Sequence, residues 1–286
     1  MNMKKKFINY GKHSINKADI KSIVKVFNSD FLTQGSEVIK FEKKLKKKFK
    51  SKYCTVVSSG TAALHLACRA LEFKRNDIIF CSPLTFVSSV NSILFCGAKP
   101  YLIDINEVDY NLDINRLEEN IKLCKKKKKN IKGIVVTDYA GHPADWSNIS
   151  YLSKKYNLKT INDNCHSMGS KINNNIGYAV KYADIVTHSY HPVKAITTGE
   201  GGSLLTNIKK YDLISKKLRT HSIVRKENNI FDYDVDNLGY NYRITDFQCA
   251  LGSEQIKRLN KFVKKKRGIA SIYDKEFSKH PLITTP

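Results

Sequence analysis

The stretch Tyr53-Cys-Thr-Val-Val-Ser-Ser-Gly-Thr-Ala-Ala-Leu64 sets the pattern from which the fold of this chain can be predicted. Its short apolar run, residues 54–57, predicts a strand, and the small residues after it predict a turn. The apolar spacing over residues 62–71 then predicts a helix. A strand, a turn and a helix in this order make one βα unit.

The same alternation extends through most of the chain. Further strands are predicted at 78–80, 101–103, 134–136 and 185–186, and further helices at 87–95, 114–123 and 146–156. Strands separated by helices are typical of βαβ units. The sequence therefore predicts an α/β protein with a mostly parallel central sheet flanked by helices.

The two ends of the chain are predicted to be helical. Two helices are expected between residues 16 and 50, with Ser36 as the N-cap of the second. Two more are expected from residue 245 to residue 277. We predict an N-terminal helical segment at 1–44, a large domain at 45–258, and the start of a small C-terminal domain at 259–286. Because a new segment has only just begun at residue 286, we expect this small domain to be incomplete.

The composition favours a globular protein without a membrane segment. The 286 residues are 41% hydrophobic, which is enough for a large buried core. No run of about 18 apolar residues is present, and the basic N-terminus lacks the apolar stretch of a secretory signal, so a cytoplasmic location is expected. The seven cysteines include no C-x-x-C pair, so we expect reduced thiols and no metal site.

The formal charge is +24, from 50 Lys and Arg against 26 Asp and Glu, which raises the question of nucleic-acid binding. The basic residues are spread over the whole chain, and their densest run, residues 125–129, contains no aromatic residue. Runs of this kind are usually solvated surface, so no nucleic-acid partner is expected. A positive field would instead attract a substrate that carries a diphosphate.

Three segments carry residues suited to binding a cofactor. Gly60 and Thr61 stand at a predicted helix N-terminus, which offers N–H groups to a phosphate, although an ordinary capped turn has the same pattern. Asp163 closes a predicted strand, where it could accept a hydrogen bond from a protonated ring nitrogen or cap a helix. Lys194 precedes a glycine-rich loop, and a buried lysine there could form an imine.

Together these segments supply what a pyridoxal phosphate (PLP) site needs. The helix N-terminus anchors the phosphate, and Ser189, five residues before Lys194, adds a hydroxyl donor. Asp163 keeps the pyridine nitrogen protonated, and Lys194 tethers the aldehyde. PLP is therefore the predicted cofactor.

Several motifs in the same order resemble the DegT/DnrJ/EryC1/StrS family of sugar aminotransferases. The most specific is His191-Pro-Val-Lys-Ala-Ile-Thr-Thr-Gly-Glu-Gly-Gly202, which looks like the lysine signature of that family. Others are Ser59-Gly-Thr-Ala-Ala-Leu64, Pro83-Leu-Thr-Phe-Val87, Gly141-His-Pro-Ala-Asp145 and Gly239-Tyr-Asn-Tyr-Arg-Ile-Thr-Asp246. The resemblance implies the fold-type I architecture of PLP-dependent aminotransferases, with a small C-terminal α/β domain.

The resemblance also implies a role for each site residue. Lys194 would hold the cofactor and shuttle the proton, and Asp163 would pair with the pyridine nitrogen. The other implied cofactor-binding residues are His166 at the 3-oxygen, Phe86 on the ring, Gly60, Thr61 and Ser189 at the phosphate, and Asn241 at the phosphate of the neighbouring subunit. The role of Asn241 implies a homodimer with shared active sites. Asn162 and Asn164 depart from the family, in which Glu and a small residue are common there.

Residues 7–14, 28–35, 162–169 and 219–222 are most similar to family members that act in pseudaminic acid synthesis. This implies transfer of an amino group from glutamate to C4 of a UDP-4-keto-6-deoxy-N-acetylhexosamine. Another nucleotide 3- or 4-keto sugar is the alternative. A sugar dehydratase of the same fold is disfavoured because a histidine replaces the lysine in those relatives. A truncated PLP-binding protein without catalysis is disfavoured by the presence of Lys194 and Asp163.

Overall fold

A computed structural model describes residues 7, 9–226 and 229–285. Parts of the predicted segments 1–44 and 259–286, including residues 1–6 of the basic N-terminus, lie outside this range. The helices are α1 Lys17–Phe27, α2 Ser36–Phe49, α3 Gly60–Ala70, α4 Ser88–Phe95, α5 Ile114–Lys126, α6 Trp146–Tyr156, α7 Tyr178–Tyr182, α8 Lys209–Arg219, α9 Asp246–Gln255 and α10 Leu259–Phe277. The strands are β1 Tyr53–Val57, β2 Ile78–Cys81, β3 Lys99–Leu102, β4 Ile131–Thr137, β5 Lys159–Asp163, β6 Ile185–Ser189, β7 Gly202–Thr206, β8 Ile223–Lys226 and β9 Asn229–Val235.

Seven of these strands form one sheet in the order β1-β7-β6-β5-β4-β2-β3. The five strands β6, β5, β4, β2 and β3, in this spatial order, are parallel to their neighbours, whereas β7 is antiparallel to both β6 and β1. The strands β8 and β9 form a separate antiparallel hairpin. The predicted α/β fold with a mostly parallel sheet and flanking helices is thus confirmed.

The sheet is buried on both faces, which explains why its strands are short apolar runs. Phe80 and Val136 belong to the hydrophobic cluster on one face, and Ile79 and Val135, their neighbours in sequence, belong to the cluster on the other. All four side chains are at most 1% exposed. Complete burial of one such aliphatic side chain stabilises the fold by about 1.5–3 kcal/mol.

The carboxyl ends of three neighbouring strands meet at one edge of the sheet. Thr137 of β4 pairs with Asp163 of β5, and Asp163 pairs with Thr187 of β6. Further along, Ser189 of β6 pairs with Gly202 of β7. This register brings the predicted catalytic aspartate and the residues on both sides of the predicted lysine loop to the same edge.

Some elements were not expected from the sequence. The strand β7 contains only two large apolar residues, and α8 and the β8–β9 hairpin are rich in charged residues, so none of them carries a strong apolar pattern. The strand predicted at 101–103 begins earlier, because Lys99 pairs with Ile78. Among the described residues, no helix is long and apolar enough to cross a lipid bilayer.

The predicted N-cap of α2 is wrong, since Gly35, which has no side chain to serve as a cap, occupies that position instead of Ser36. The cap comes from a distant part of the chain. The Asp246 carboxylate, which is 1% exposed, accepts hydrogen bonds from the N–H groups of Gly35 (2.8 Å) and Glu37 (2.9 Å). A carboxylate beside the first turn also interacts favourably with the helix dipole. Asp246 therefore joins α2 to the start of α9.

We predict that Asp246→Ala lowers the free energy of unfolding by about 2 kcal/mol, because two N–H groups of the first turn lose their acceptor. The matched control is Asp113→Ala, which removes the local, half-buried N-cap of α5 and should cost about 1 kcal/mol. Urea denaturation measures both. Equal losses in the two variants would contradict the tertiary role of Asp246.

Candidate active site

A cavity of about 560 Å³ opens at the carboxyl edge of the sheet. Seven of the predicted site residues line it, namely Gly60, Thr61, Phe86, Asp163, His166, Ser189 and Lys194. They come from five separate parts of the sequence. The fold therefore brings together in one cavity every predicted site residue except Asn241.

The N-terminus of α3 forms one wall of this cavity. Ser59 is its N-cap, and its hydroxyl accepts a hydrogen bond from the N–H of Ala62 at 3.0 Å. The N–H groups of Gly60 and Thr61 precede the first intrahelical hydrogen bonds, so they can bind an anion. A Cβ atom on Gly60 would lie 2.7 Å from Cβ of Ser189, so only glycine lets the helix approach β6 this closely.

Asp163 is almost fully buried at the end of β5, with 3% of its surface exposed. Its Oδ2 accepts a hydrogen bond from the Ser89 hydroxyl at 2.6 Å, and its Oδ1 accepts one from the N–H of Cys165 at 3.2 Å. The Ser89 hydroxyl also contacts the Thr85 hydroxyl at 2.9 Å. These neutral donors orient the carboxylate without neutralising it, so it remains able to pair with a cationic group in the cavity.

His166 lies in the turn after β5, at the wall of the cavity. Burial is the main cause that lowers the pKa of its imidazole, and the positive charge of Lys194 lowers it further, while Asp163 acts in the opposite direction. Its ring meets the ring of Tyr139 edge-on at 6.1 Å. Its Nδ1 is buried and has no hydrogen-bond partner among the described residues. His166 thus presents a neutral imidazole at the wall of the cavity.

Lys194 lies in the loop between β6 and β7, and Tyr190 closes the base of this loop. The N–H of Tyr190 donates to the carbonyl oxygen of Gly201 at 2.8 Å, and its own carbonyl oxygen accepts from the N–H of Thr198 at 3.0 Å. The buried Tyr190 hydroxyl donates to the Ser203 hydroxyl at 2.6 Å. These bonds hold the ends of the loop together and keep Lys194 at the cavity.

Several lining residues were not predicted from the sequence. They include Tyr10, Tyr139, Cys165 and His191. Tyr10 comes from the N-terminal segment. This segment lies close to the lysine loop: a Cβ atom placed on Gly11 would be 2.8 Å from the Val193 side chain. Ser89 was missed as well, although it follows the Pro83–Val87 motif closely and a hydroxyl there was the available signal.

The two residues that depart from the family pattern, Asn162 and Asn164, share one partner. Their side-chain amides donate to Oδ2 of Asp138 at 3.2 and 2.9 Å. All three side chains are at least 97% buried. A glutamate at position 162 would set a second carboxylate against Asp138, so the asparagines are matched to this buried aspartate.

Phe86 and Asn241 differ in how the structure places them. Phe86 lines the cavity but leaves 62% of its surface exposed, so one face of its ring is open to a bound group. Asn241 is exposed, pairs with Thr220 through a β-bridge, and does not line the cavity of its own chain. The role of Asn241 toward a neighbouring subunit stays a prediction.

These residues fit PLP. The anionic phosphate suits the N-terminus of α3 beside Ser189, and a protonated ring nitrogen suits the buried carboxylate of Asp163. The ring 3-oxygen suits the imidazole of His166, whose Nδ1 lacks a partner. Within the part of the chain that the structure describes, no group of three or more His, Cys, Asp or Glu residues could hold a metal ion.

Comparison with known proteins points to the family that the sequence motifs resemble. Residues 13–286 match the model of the DegT/DnrJ/EryC1/StrS aminotransferase family. The UDP-4-amino-4,6-dideoxy-N-acetyl-beta-L-altrosamine transaminase of Campylobacter jejuni (serotype O:2) is 39% identical over 279 residues, which cover 97% of this chain and 72% of that protein.

Two solved structures are informative. The Helicobacter pylori aminotransferase PseC, involved in the biosynthesis of pseudoaminic acid, superposes with a TM-score of 0.88 at 32% identity, covering 96% of this chain and 72% of its own. NtdA of Bacillus subtilis, solved with its cofactor PMP bound, has a TM-score of 0.81 at 26% identity, covering 96% of this chain and 62% of its own. By its sequence motifs, its fold and the arrangement of its site, this chain belongs to the DegT/DnrJ/EryC1/StrS aminotransferase family.

Proposed function

We propose that this chain is a PLP-dependent aminotransferase that moves an amino group from glutamate to C4 of a UDP-4-keto-6-deoxy-N-acetylhexosamine in pseudaminic acid biosynthesis. The observation that carries the proposal is the cavity in which Lys194, Asp163, His166 and the N-terminus of α3 meet. The substrate is inferred from the functions of the C. jejuni and H. pylori relatives. Another nucleotide 3- or 4-keto sugar is the alternative substrate.

PLP, when bound, supplies an aldehyde carbon that can carry the amino group and a ring that can accept electrons. Lys194 would hold the aldehyde end through its Nζ. When free, the same amine would act as general base and general acid, taking a proton from the carbon that bears the amino group and delivering one to the carbon on the other side of that nitrogen. The loop, closed at its base by Tyr190, would keep this amine at the cavity during both proton transfers.

The remaining residues would bind and orient. Asp163, held by Ser89 and the N–H of Cys165, would keep a proton on the ring nitrogen. The N–H groups of Gly60 and Thr61 and the Ser189 hydroxyl would anchor the phosphate, and Phe86 would cover one face of the ring. The low pKa of His166 keeps its imidazole neutral, so it would add no second cation beside Lys194.

We also propose that the protein works as a cytoplasmic homodimer with shared active sites. Asn241 is exposed and lies outside the cavity of its own chain, which suits a residue that completes the site of a neighbour. Exposed apolar side chains on α4 and on the segment before Asn241, namely Leu94, Phe95 and Leu238, would then be buried between the subunits.

We predict that borohydride treatment of the PLP-loaded protein links the cofactor to Lys194, because Lys194 is the lysine that lines the cavity. Peptide mapping by mass spectrometry locates the label. Lys194→Ala should bind PLP only reversibly, and Lys126→Ala, which removes an exposed lysine of α5, should be labelled like the parent. A label on a different lysine would reject this assignment.

We predict that Asp163→Asn lowers kcat by at least about 100-fold. A neutral partner no longer favours the protonated form of the ring nitrogen, and the protonated ring stabilises the charge that develops in the reaction. PLP should still bind, since the phosphate contacts are intact. The control is Asp145→Asn, an exposed N-cap of α6, which should keep its activity. Steady-state kinetics and PLP titration measure the effects, and near-normal turnover of Asp163→Asn would refute the role.

We predict that Lys194→Ala and Asn241→Ala, each of low activity alone, regain activity when mixed and allowed to exchange subunits. In a mixed dimer both defects fall on one shared site and leave the other intact. A coupled glutamate-dependent assay measures the recovery, and each variant mixed with itself is the control. If mixing restores nothing although mass spectrometry shows mixed dimers, Asn241 acts within its own chain.

A further inference from the structure

Five donors converge on the buried carboxylate of Asp138, the residue that follows β4. Oδ1 accepts from the N–H of Ala144 (3.0 Å) and from Nε1 of Trp146 (2.7 Å), and Oδ2 accepts from the Tyr178 hydroxyl (2.5 Å) and from the amides of Asn164 (2.9 Å) and Asn162 (3.2 Å). Asp138 is 0% exposed. Its side chain does not line the cavity, so the chemistry proposed above does not use it.

The partners of Asp138 stand on both sides of the proposed catalytic aspartate. Asn162 and Asn164 are the immediate neighbours of Asp163, and the backbone N–H of Asp138 donates to the carbonyl oxygen of Asp163 at 3.2 Å. The Ser167 hydroxyl donates to the carbonyl oxygen of Asp138 at 3.0 Å. Asp138 thus fixes the strand end that carries Asp163 and the turn that follows it.

The same residue also controls the surroundings of His166. Ser167, which contacts Asp138, directly follows His166 in the sequence. Tyr139, whose ring meets the His166 ring edge-on, directly follows Asp138. The bonds from Ala144 and Trp146 to Asp138 close the turn between Tyr139 and α6. Both groups that would contact the cofactor ring therefore lie beside residues held by Asp138, through its carboxylate at Asn162 and Asn164 and through its carbonyl oxygen at Ser167.

The network favours a charged carboxylate. An ionised carboxylate only accepts hydrogen bonds, which matches a site where all five partners donate. Burial raises the pKa of Asp138, while the hydrogen bonds from Tyr178 and Trp146 lower it. An asparagine at position 138 would turn its NH₂ group toward at least two of the donors, so the present arrangement of hydrogen bonds would have to change.

We propose that Asp138 is a positioning residue that holds Asp163 and His166 in the geometry required to bind the ring of PLP. The proposal rests on the proposed function for the identity of the cofactor. In this role Asp138 connects the end of β4 to the turn after β5 and to the start of α6. It makes no contact with substrate or cofactor.

The test compares Asp138→Asn with two matched variants of the full chain. Asp212→Asn neutralises another buried carboxylate, which accepts from the Thr55 hydroxyl and from Lys216 and does not line the cavity. The double variant Asp138→Asn with Asn164→Asp restores one carboxylate and one amide in contact, with their positions exchanged. It also keeps the question answerable if Asp138→Asn alone folds poorly.

Four readouts apply, of which two need no cofactor. Emission of Trp146, the single tryptophan of the chain, reports directly on the Asp138 contact in the apo protein. The imidazole NMR titration of His166 reports on the turn. PLP titration and the pH dependence of the absorbance of bound PLP report on the position of Asp163.

We expect Asp138→Asn to alter Trp146 emission, to raise the pKa of His166 toward its ordinary value as water enters the turn, and to weaken PLP binding at least about tenfold. Asp212→Asn should lose stability without any of these changes, and the double variant should recover most of the PLP affinity. If Asp138→Asn loses only stability, as Asp212→Asn does, the proposal is overturned. If the parent itself binds no PLP, the proposed function fails, and the His166 titration alone then decides whether Asp138 positions the turn.

Discussion

The site depends on the close approach of three segments that are far apart in the sequence. A Cβ atom on Gly60 would lie 2.7 Å from Cβ of Ser189, and a Cβ atom on Gly202 would lie 2.4 Å from the carbonyl oxygen of Ser59. Real Cβ atoms do not come this close to other atoms, so the two glycines are required by the space available. They let the N-terminus of α3 rest against the ends of β6 and β7, between which the lysine loop is held.

The register of the sheet then decides what faces that helix N-terminus. In a parallel sheet all carboxyl ends lie at one edge, so Asp163 on β5 and Ser189 on β6 come to the cavity together. The antiparallel strand β7 begins at the same edge, where Gly202 pairs with Ser189, so both ends of the loop that contains Lys194 lie there. Lys194 and Asp163 thus lie in one cavity, and the contacts of the described residues include no salt bridge between them.

Two buried carboxylates near this edge have different surroundings. Asp163 accepts bonds from few neutral donors and faces the cavity, so it can still pair with a cationic ring. Asp138 is enclosed by donors, and its capacity to accept is used within the protein. This division explains Asn162 and Asn164, whose amides complete the shell around Asp138. The departure from the family pattern is therefore compensated inside this chain.

The sequence alone determined the α/β fold and the parallel strands, because apolar periodicity is a local signal. It also determined seven of the residues that line the cavity, five from glycine, hydroxyl, lysine and aspartate motifs and two, Phe86 and His166, through the resemblance to the family. Only the tertiary structure decided the tie through Asp138 and the cap of α2 by Asp246, since both join residues that are distant in sequence. Tyr10 and β7 were missed for the same reason: their places depend on contacts with the lysine loop and with two neighbouring strands. A pattern along the chain records which side chains must be buried, whereas the partner of a buried polar group is chosen when the strands align.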